Sequence, residues 1–332
     1  MVVATRNAIL KALLQLGLND RSPEAHPVSE WSGQKTKLGP TEAYLTKADA
    51  QPLVDEGLLH YVDSGTLHWH LTAEGVREAA KLVPVPSLDI EALLTHAFSL
   101  AYFTQLDDSG EPPIPWQWDK GDKASKLVLV LGENAGGKSF LRRIVRAIVD
   151  RGGKDDSGRT RKPGPFPVRE VIHLSMEART QGGFMRSAVY GIEEWLSTGA
   201  NSAQTISKGI ETIQGRAWRL VSYWDEPDIG MSNGCAAGAG VTLRGLVESD
   251  TPMLQAIFLT SHSEALVRSL TTGLTAKPHY VYLGNSNGPA TLADWFVAQQ
   301  NPKPVFPEEL EAIGSRRFKR IQAILNEKRR SN

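Results

Sequence analysis

The sequence predicts an α/β protein built on a parallel sheet, with a small α+β domain ahead of it. Three stretches carry that expectation. Residues 127–149 run from a wholly apolar strand through a glycine-rich turn into helical periodicity. Residues 219–232 form a second apolar strand that ends in a cluster of acids, and residues 46–83 alternate as helix, hairpin and helix. At 332 residues and 41% apolar content, the chain is long enough for about two domains with ordinary packed cores. No apolar run approaches the ~18 residues that span a bilayer. Arg6 and Lys11 interrupt the apolar pattern of the N-terminus, so neither a membrane span nor export is expected. A single cysteine, Cys235, agrees with a reducing cytoplasm. Thirty-seven basic residues balance 37 acidic ones, so any nucleic-acid or anionic-membrane contact must be local.

From the N-terminus, residues 4–18 place Ile9, Leu10, Leu13, Leu14 and Leu18 on one side of a helix. A polar segment containing Pro and Gly follows to about residue 43. Residues 46–83 then give a helix, two short strands about the turn Asp63-Ser64-Gly65, and a helix capped by Thr72. The pattern resembles a winged-helix domain, with 46–57 at the recognition helix and 58–71 as the wing. Charge weighs against DNA reading, because phosphate contacts need basic side chains. Residues 1–85 hold eight basic against ten acidic residues, and the recognition-helix position sets Lys47 against Asp49, Asp55 and Glu56. Protein docking is therefore favoured, with DNA contact as the alternative. His60, His68 and His70 alternate along the wing with no cysteine nearby and suit a solvated strand better than a metal site. Pro84-Val85-Pro86 marks the end of this domain, 1–86.

Leu127 to Leu131 has no polar face, as a central parallel strand covered on both sides requires. It opens into GENAGGKS, where Gly132, Gly137, Lys138 and Ser139 meet the phosphate-loop pattern G-x-x-x-x-G-K-[ST]. The glycines, Gly136 included, let the backbone wrap closely around phosphate. N–H groups across the loop, from Asn134 to Phe140, then point inward with a helix N-terminus behind them. Lys138 would reach the β- and γ-phosphates of ATP, and the Ser139 hydroxyl would take one place on a Mg²⁺ that keeps several waters. Phe140, Leu141, Ile144, Val145, Ile148 and Val149 repeat at helical spacing opposite Arg142, Arg143 and Arg146, so this helix lies against the sheet. Ahead of the loop, residues 97–106 and 113–119 read as strands, and Tyr102, Phe103, Trp116 and Trp118 are candidates to stack on adenine.

Residues 150–167 are rich in Gly, Pro and charge without periodicity and read as a mobile surface loop, locally basic over 151–162. A strand returns at 168–174. The strand at 219–225 ends in Asp225-Glu226-Pro227-Asp228. An acid at the carboxyl end of a strand beside the phosphate-loop strand can hold Mg²⁺ through water, and the next carboxylate can orient or deprotonate an attacking water. The pair reads as a Walker B motif, with Asp225 on the metal and Glu226 as base.

Taken together, these motifs resemble those of ABC-type ATPases, in particular the compact non-transporter branch that includes SMC and OLD-like proteins. DEPDIGMS matches that family's pattern after Walker B. The resemblance implies further roles. His262, in Ser-His-Ser after the strand at 256–260, takes the place of the switch histidine at the γ-phosphate. Leu196, Ser197 and Gly199 match the signature LSGGQ, while Thr198 and Ala200 depart from it. Gln181, 43 residues after Lys138, fits the glutamine that watches the γ-phosphate. Ser197 and Gly199 would close over the ATP of a second subunit, which implies a homodimer with two ATPs between its subunits. Only 59 residues separate Lys138 from Ser197, which leaves no room for a long coiled-coil arm.

The resulting expectation is an α/β protein, a P-loop NTPase of ABC type with a small N-terminal winged-helix domain. Its ATPase domain would span 87–290 and a C-terminal helical extension 291–332. It would hydrolyse ATP and control a partner protein, with DNA maintenance or defence against mobile elements as a family analogy. The last helix carries a basic face from Arg316 to Arg330 that could meet nucleic acid or a partner. Two alternatives stay open: an AAA+ ring ATPase with Thr260 or Ser261 as sensor, and a nucleotide-sensing DNA-binding regulator with little turnover.

Overall fold

The structure is a computed structural model that describes residues 6–18, 36–37, 44–45, 47–63, 67–108, 110–150, 152–154, 160–175, 197–216 and 218–331. The first elements are helix α1 (Arg6–Leu18), short strands β1 (Thr36–Lys37) and β2 (Tyr44–Leu45), helix α2 (Lys47–Asp55), the antiparallel hairpin β3 (Leu59–Asp63) and β4 (Leu67–Leu71), and helix α3 (Ala73–Ala80). The apolar face of α1 is the buried one: Ile9, Leu10, Leu13 and Leu14 pack with Leu53, Leu58, Leu59, Leu71 and Val76. Thr72 caps α3, accepting from the Gly75 N–H at 3.1 Å while donating to the Gly57 carbonyl at 2.6 Å. Met253, from the far side of the chain, fills this same core and joins these elements to the main sheet.

The remainder runs α4 (Ile90–Phe98), α5 (Ala101–Thr104), β5 (Trp116–Asp119), β6 (Leu127–Gly132), α6 (Lys138–Val149), β7 (Gly153–Lys154), β8 (Thr160–Arg161), β9 (Glu170–Ser175) and α7 (Thr198–Gln214). It continues through β10 (Leu220–Asp225), α8 (Asn233–Glu248), β11 (Leu254–Thr260), α9 (Glu264–Thr271), β12 (His279–Leu283), α10 (Leu292–Gln300) and α11 (Pro307–Ser331). The main sheet is six-stranded and mixed, in the order β5-β12-β6-β11-β10-β9. All neighbours are parallel except β5, which runs antiparallel to β12 at one edge. The chain is therefore α/β.

The period of two along each strand sorts the apolar run of β6 into two layers. Val128 and Val130 face a core shared with α4, α5, α6 and α11, while Leu127, Leu129 and Leu131 face α7, α8, α9 and α10. Helices on both faces are what an apolar strand with no polar side demands. No described helix is long and apolar enough to cross a membrane.

Three expectations change. Residues 97–106 are not a strand: Asp89 caps α4 by accepting from the Ala92 N–H at 2.9 Å, and Phe98, Tyr102 and Phe103 are buried along a helical path. A short apolar run fits a buried helix as well as a strand, and the cap decides it. Within 150–167, β7 and β8 pair in a short antiparallel ladder where the composition suggested loop alone. Finally, β10 does not lie beside β6, because the wholly buried β11 takes the slot between them.

Helices α8 and α9 pack backbone to backbone at Gly240. A Cβ at Gly240 would sit 2.4 Å from the Leu266 carbonyl oxygen and 2.9 Å from the Leu270 nitrogen, both backbone atoms that cannot swing away. Gly240→Ala should destabilise the fold by about 1–3 kcal/mol, the range of overpacking. Denaturant unfolding midpoints measure this, and an unchanged midpoint would show that the two helices separate at little cost.

Candidate functional site

Parallel strands share one carboxyl edge, and here β6, β10 and β11 end in glycine, acid and hydroxyl. From Gly132 (φ 141°) the chain turns through Ala135 (φ 56°) and Gly137 (φ 105°) into α6. The glycines are required by space: a Cβ on Gly132 would lie 2.1 Å from the Leu283 carbonyl oxygen, and one on Gly136 2.7 Å from that same oxygen. Ala135 holds a left-handed backbone without being glycine, a conformation that surrounding contacts must impose. Arg317 of α11 supplies one. Its guanidinium donates to the Ala135 carbonyl at 2.8 Å and to the Gly284 carbonyl beside it.

The Lys138 ammonium folds back over this loop. It donates to the carbonyls of Gly132 (3.2 Å) and Glu133 (3.0 Å) and meets His262 Nε2 at 2.9 Å. Burial pushes its pKa down to about 8, against the opposing pull of the Glu226, Asp225 and Glu133 carboxylates. The same His262 Nε2 lies 3.3 Å from Glu226 Oε1. One ring nitrogen thus serves two contacts, so a full set of protons on both sides is disfavoured. Either Lys138 donates to a neutral His262, or a protonated Nε2 donates to Glu226 while Lys138 gives up its charge. The His262 contact holds the Glu226 carboxyl below its usual range, overcoming partial burial.

Glu226 is the second non-glycine residue with a left-handed backbone (φ 49°). Its N–H donates to both the carbonyl (3.0 Å) and the hydroxyl (3.1 Å) of Thr260. That hydroxyl in turn donates to Asp225 Oδ1 at 2.6 Å. Asp225 Oδ2 lies 3.8 Å from Arg142 and 3.9 Å from His173. Burial raises the Asp225 pKa, but His173, Thr260 and Arg142 together bring it below the ordinary carboxylate value. Next in line, the Ser261 hydroxyl donates to Asp228 at 3.0 and 3.2 Å, and burial lifts Asp228 above the usual range.

Of the residues singled out from sequence, the structure brings Lys138, Glu226 and His262 into one contact chain, with Asp225 linked through Thr260. Asn134 and Ser139 are exposed on the loop and at the start of α6, Gly136 is buried, and Phe140 meets Tyr102 edge-on at 4.9 Å. Ser197 and Gly199 lie elsewhere. Ser197 caps α7 by accepting from the Ala200 N–H at 3.3 Å, and both border a cavity of about 530 Å³ with Gly230, Met231 and Cys235. Gln181 falls outside the described residues. The aromatic candidates are engaged in packing: Trp116 stacks on Phe98 at 4.2 Å, Phe103 is buried, and Tyr102 is nearly so.

Arg142, His173 and Arg317 were not read as parts of this edge. Arg142 lies four residues after Lys138, one helical turn onward, which is the signal that could have found it. Among the described residues, no group of three or more His, Cys, Asp or Glu could by itself hold a metal. An exposed Ser139 hydroxyl, with an Asp225 carboxylate already facing the Arg142 guanidinium, suits Mg²⁺ held through waters and phosphate oxygens rather than in a protein cage.

No protein-family model matches the chain, and no curated protein matches it in sequence.

The Lys138 shift has a sign that can be tested. The ammonium is disfavoured in the folded chain, so stability should rise with pH from about 8 to the ordinary lysine value of roughly 10.4. Glu226→Gln removes a charge that raises the Lys138 pKa and should lower it further. Nuclear magnetic resonance titration of labelled lysine side chains reads both, and a Lys138 that titrates with the surface lysines would contradict the burial argument.

Proposed function

We propose that the chain is an ATPase of ABC type that binds ATP with Mg²⁺ at the glycine-rich loop, pairs with a second copy around two nucleotides, and resets by hydrolysis. On this reading residues 1–86 form a winged-helix-like docking domain, 87–290 the P-loop ATPase domain, and 291–332 a C-terminal extension. One observation carries the proposal: Lys138, His262 and Glu226, from three separate segments, meet at 2.9 and 3.3 Å on the carboxyl edge of a parallel sheet. A cation, an imidazole and an ionised carboxylate at the foot of a glycine loop are what phosphoryl transfer to water needs.

The roles follow from chemistry. Phosphate favours the charged form of Lys138, so nucleotide would draw the ammonium off the loop carbonyls and raise its pKa. That frees His262 to donate toward a phosphate oxygen. Glu226, kept ionised, would accept the proton of the attacking water. Bound Mg²⁺ would neutralise charge on the phosphates, with Ser139 and, through water, Asp225 as its protein partners. Ser197 and Gly199 border a cavity that Lys138 does not line, which supports their use on the second copy's nucleotide.

No hydrolytic or transferase cluster is found elsewhere among the described residues, so the output is assigned to a partner protein. Nucleic acid is a weaker candidate, because Arg317 and Arg320 of the basic helix bind backbone carbonyls of the chain itself. An exposed lone Cys235 accords with a reducing, cytoplasmic setting.

Glu226→Gln should retain ATP binding and lose turnover by about 10²–10⁴-fold, the range for a general base. Binding and steady-state hydrolysis measured on one preparation decide it, since turnover within a few-fold of the parent sinks the assignment. The shared-site arrangement has its own test. Mixing a Lys138→Ala chain with a Ser197→Arg chain should restore one working site per heterodimer. Heterodimers that form yet hydrolyse no faster than either parent would rule it out.

A further inference from the structure

The C-terminal helix α11 turns one side to the chain and one to solvent. Inward, Ile324 is buried in the core shared with α4, α5 and α6, and Ile321 and Leu325 pack against it. Arg317 and Arg320 on that side donate to backbone carbonyls of the chain. Outward, Glu308, Glu311, Ala312, Ser315, Phe318 and Lys319 recur at intervals of three and four, which places them along one side of the helix. All six are exposed. Phe318 is 62% exposed, and Phe306, just ahead of the helix, is 60% exposed. They are the exposed phenylalanines among the described residues, and both belong to this element.

The charges on this side are segregated along the helix. Glu308, Glu309 and Glu311 lie in its first half, and Arg316 and Lys319 follow. None of the five forms an ion pair with another described residue. Elsewhere, helix charges pair across three or four residues, as in Arg77 with Glu74, Lys81 with Glu78 and Arg268 with Glu264. On α11 that spacing is missing. Ile313 and Ala312 stand three and four residues before Arg316, and Arg316 and Ser315 stand there before Lys319. The helix dipole favours acids in the first turn, but it offers nothing to cations in mid-helix. A helix side that is acidic at one end and basic at the other is complementary to a copy of itself laid antiparallel, and a two-fold dimer contact requires self-complementarity of that kind.

We propose that α11 pairs antiparallel with α11 of a second copy of this chain, about a two-fold axis near Ser315, in a homodimer that needs no nucleotide. The acids of each copy would lie opposite Arg316 and Lys319 of the other. Ala312 and Ser315, small and central, let the two helices approach, and each Phe318 is covered. The contact is one helix wide, so the dimer is a weak one. This surface is distinct from the one around Ser197 and Gly199, and it does not depend on the ATPase reading.

The test uses the full chain, free of nucleotide and Mg²⁺, so that a dimer bridged by ATP cannot form. Sedimentation from micromolar to hundred-micromolar concentration should show a reversible monomer–dimer equilibrium that weakens as salt is raised. One variant, Glu308→Lys with Glu311→Lys, makes the outward side basic along its length. Another, Arg316→Glu with Lys319→Glu, makes it acidic. Each alone should dimerise about tenfold more weakly or worse, because like charges then face each other, and an equimolar mixture should recover a heterodimer. Parallel pairing would already set like against like in the parent, and neither reversal would then weaken it. Phe318→Asp should weaken the dimer too. Thermal unfolding of every variant should match the parent, since all the changed side chains are exposed. A parent chain that stays monomeric at hundred-micromolar concentration, a dimer indifferent to both reversals, or folded reversal variants that stay apart when mixed each overturn the proposal.

Discussion

The strand β11, buried along its whole length between β6 and β10, sets the spacing of the carboxyl edge. Neighbouring strands lie about 4.8 Å apart, so the loop that follows β6 and the acids that end β10 are held about 10 Å apart at their roots. Side chains contributed by β11 and the residues after it close that gap. Thr260 bonds to Asp225 and to the Glu226 N–H, Ser261 bonds to Asp228, and His262 stands between Lys138 and Glu226. Three consecutive residues thereby hold the acids after β10 in place and, through His262, link them to Lys138 of the loop. On the proposed reading, the interval left between loop and acids is where a terminal phosphate and its waters would lie.

Strain in the described chain is concentrated at this same edge. Ala135 and Glu226 are the two non-glycine residues with left-handed backbones, each a conformation costing of order 1–3 kcal/mol unless its surroundings dictate it. Thr260 holds Glu226, and Arg317 holds Ala135. The C-terminal helix is therefore a working part of the loop rather than an appendage, and Arg320 adds a second tie through Asp107 and the carbonyls of Glu111 and Pro112. That binding also explains why a basic face read from sequence is only partly available to outside partners. Arg316 and Lys319 are exposed, whereas Arg317 and Arg320 are partly buried and turned onto the chain itself.

What was legible in the sequence was local. The apolar run of β6, the spacing from Gly132 to Ser139, the acids after β10 and the cap at Thr72 each depend on a few adjacent residues, and the elements stand where that reading put them. Strand order was not legible, because nothing within 219–232 shows that a strand from 254–260 will come between it and β6. Residues 97–106 failed for a related reason: a short apolar run fits two periods, and the deciding cap at Asp89 lies outside it. His173 and Arg317 act on the site only through folding contacts between distant segments, and sequence patterns carry no such pairing. The basic composition of 151–162 hid a two-residue ladder whose strands are too short to show a period.

A bulge at Gln255 reconciles two demands on β11. Before it, Met253 closes the core of the N-terminal helices and Leu254 faces the layer of α8 and α9. After it, Ala256 and Phe258 face the opposite layer, and Thr260 is in register with Asp225. Side chains alternate with a period of two, so a regular strand would place Leu254 on the same face as Ala256. Keeping Leu254 where it is without the extra residue would turn Thr260 to the other side of the sheet and lift its hydroxyl from Asp225. One inserted residue lets the amino end dock the N-terminal elements while the carboxyl end keeps its contacts.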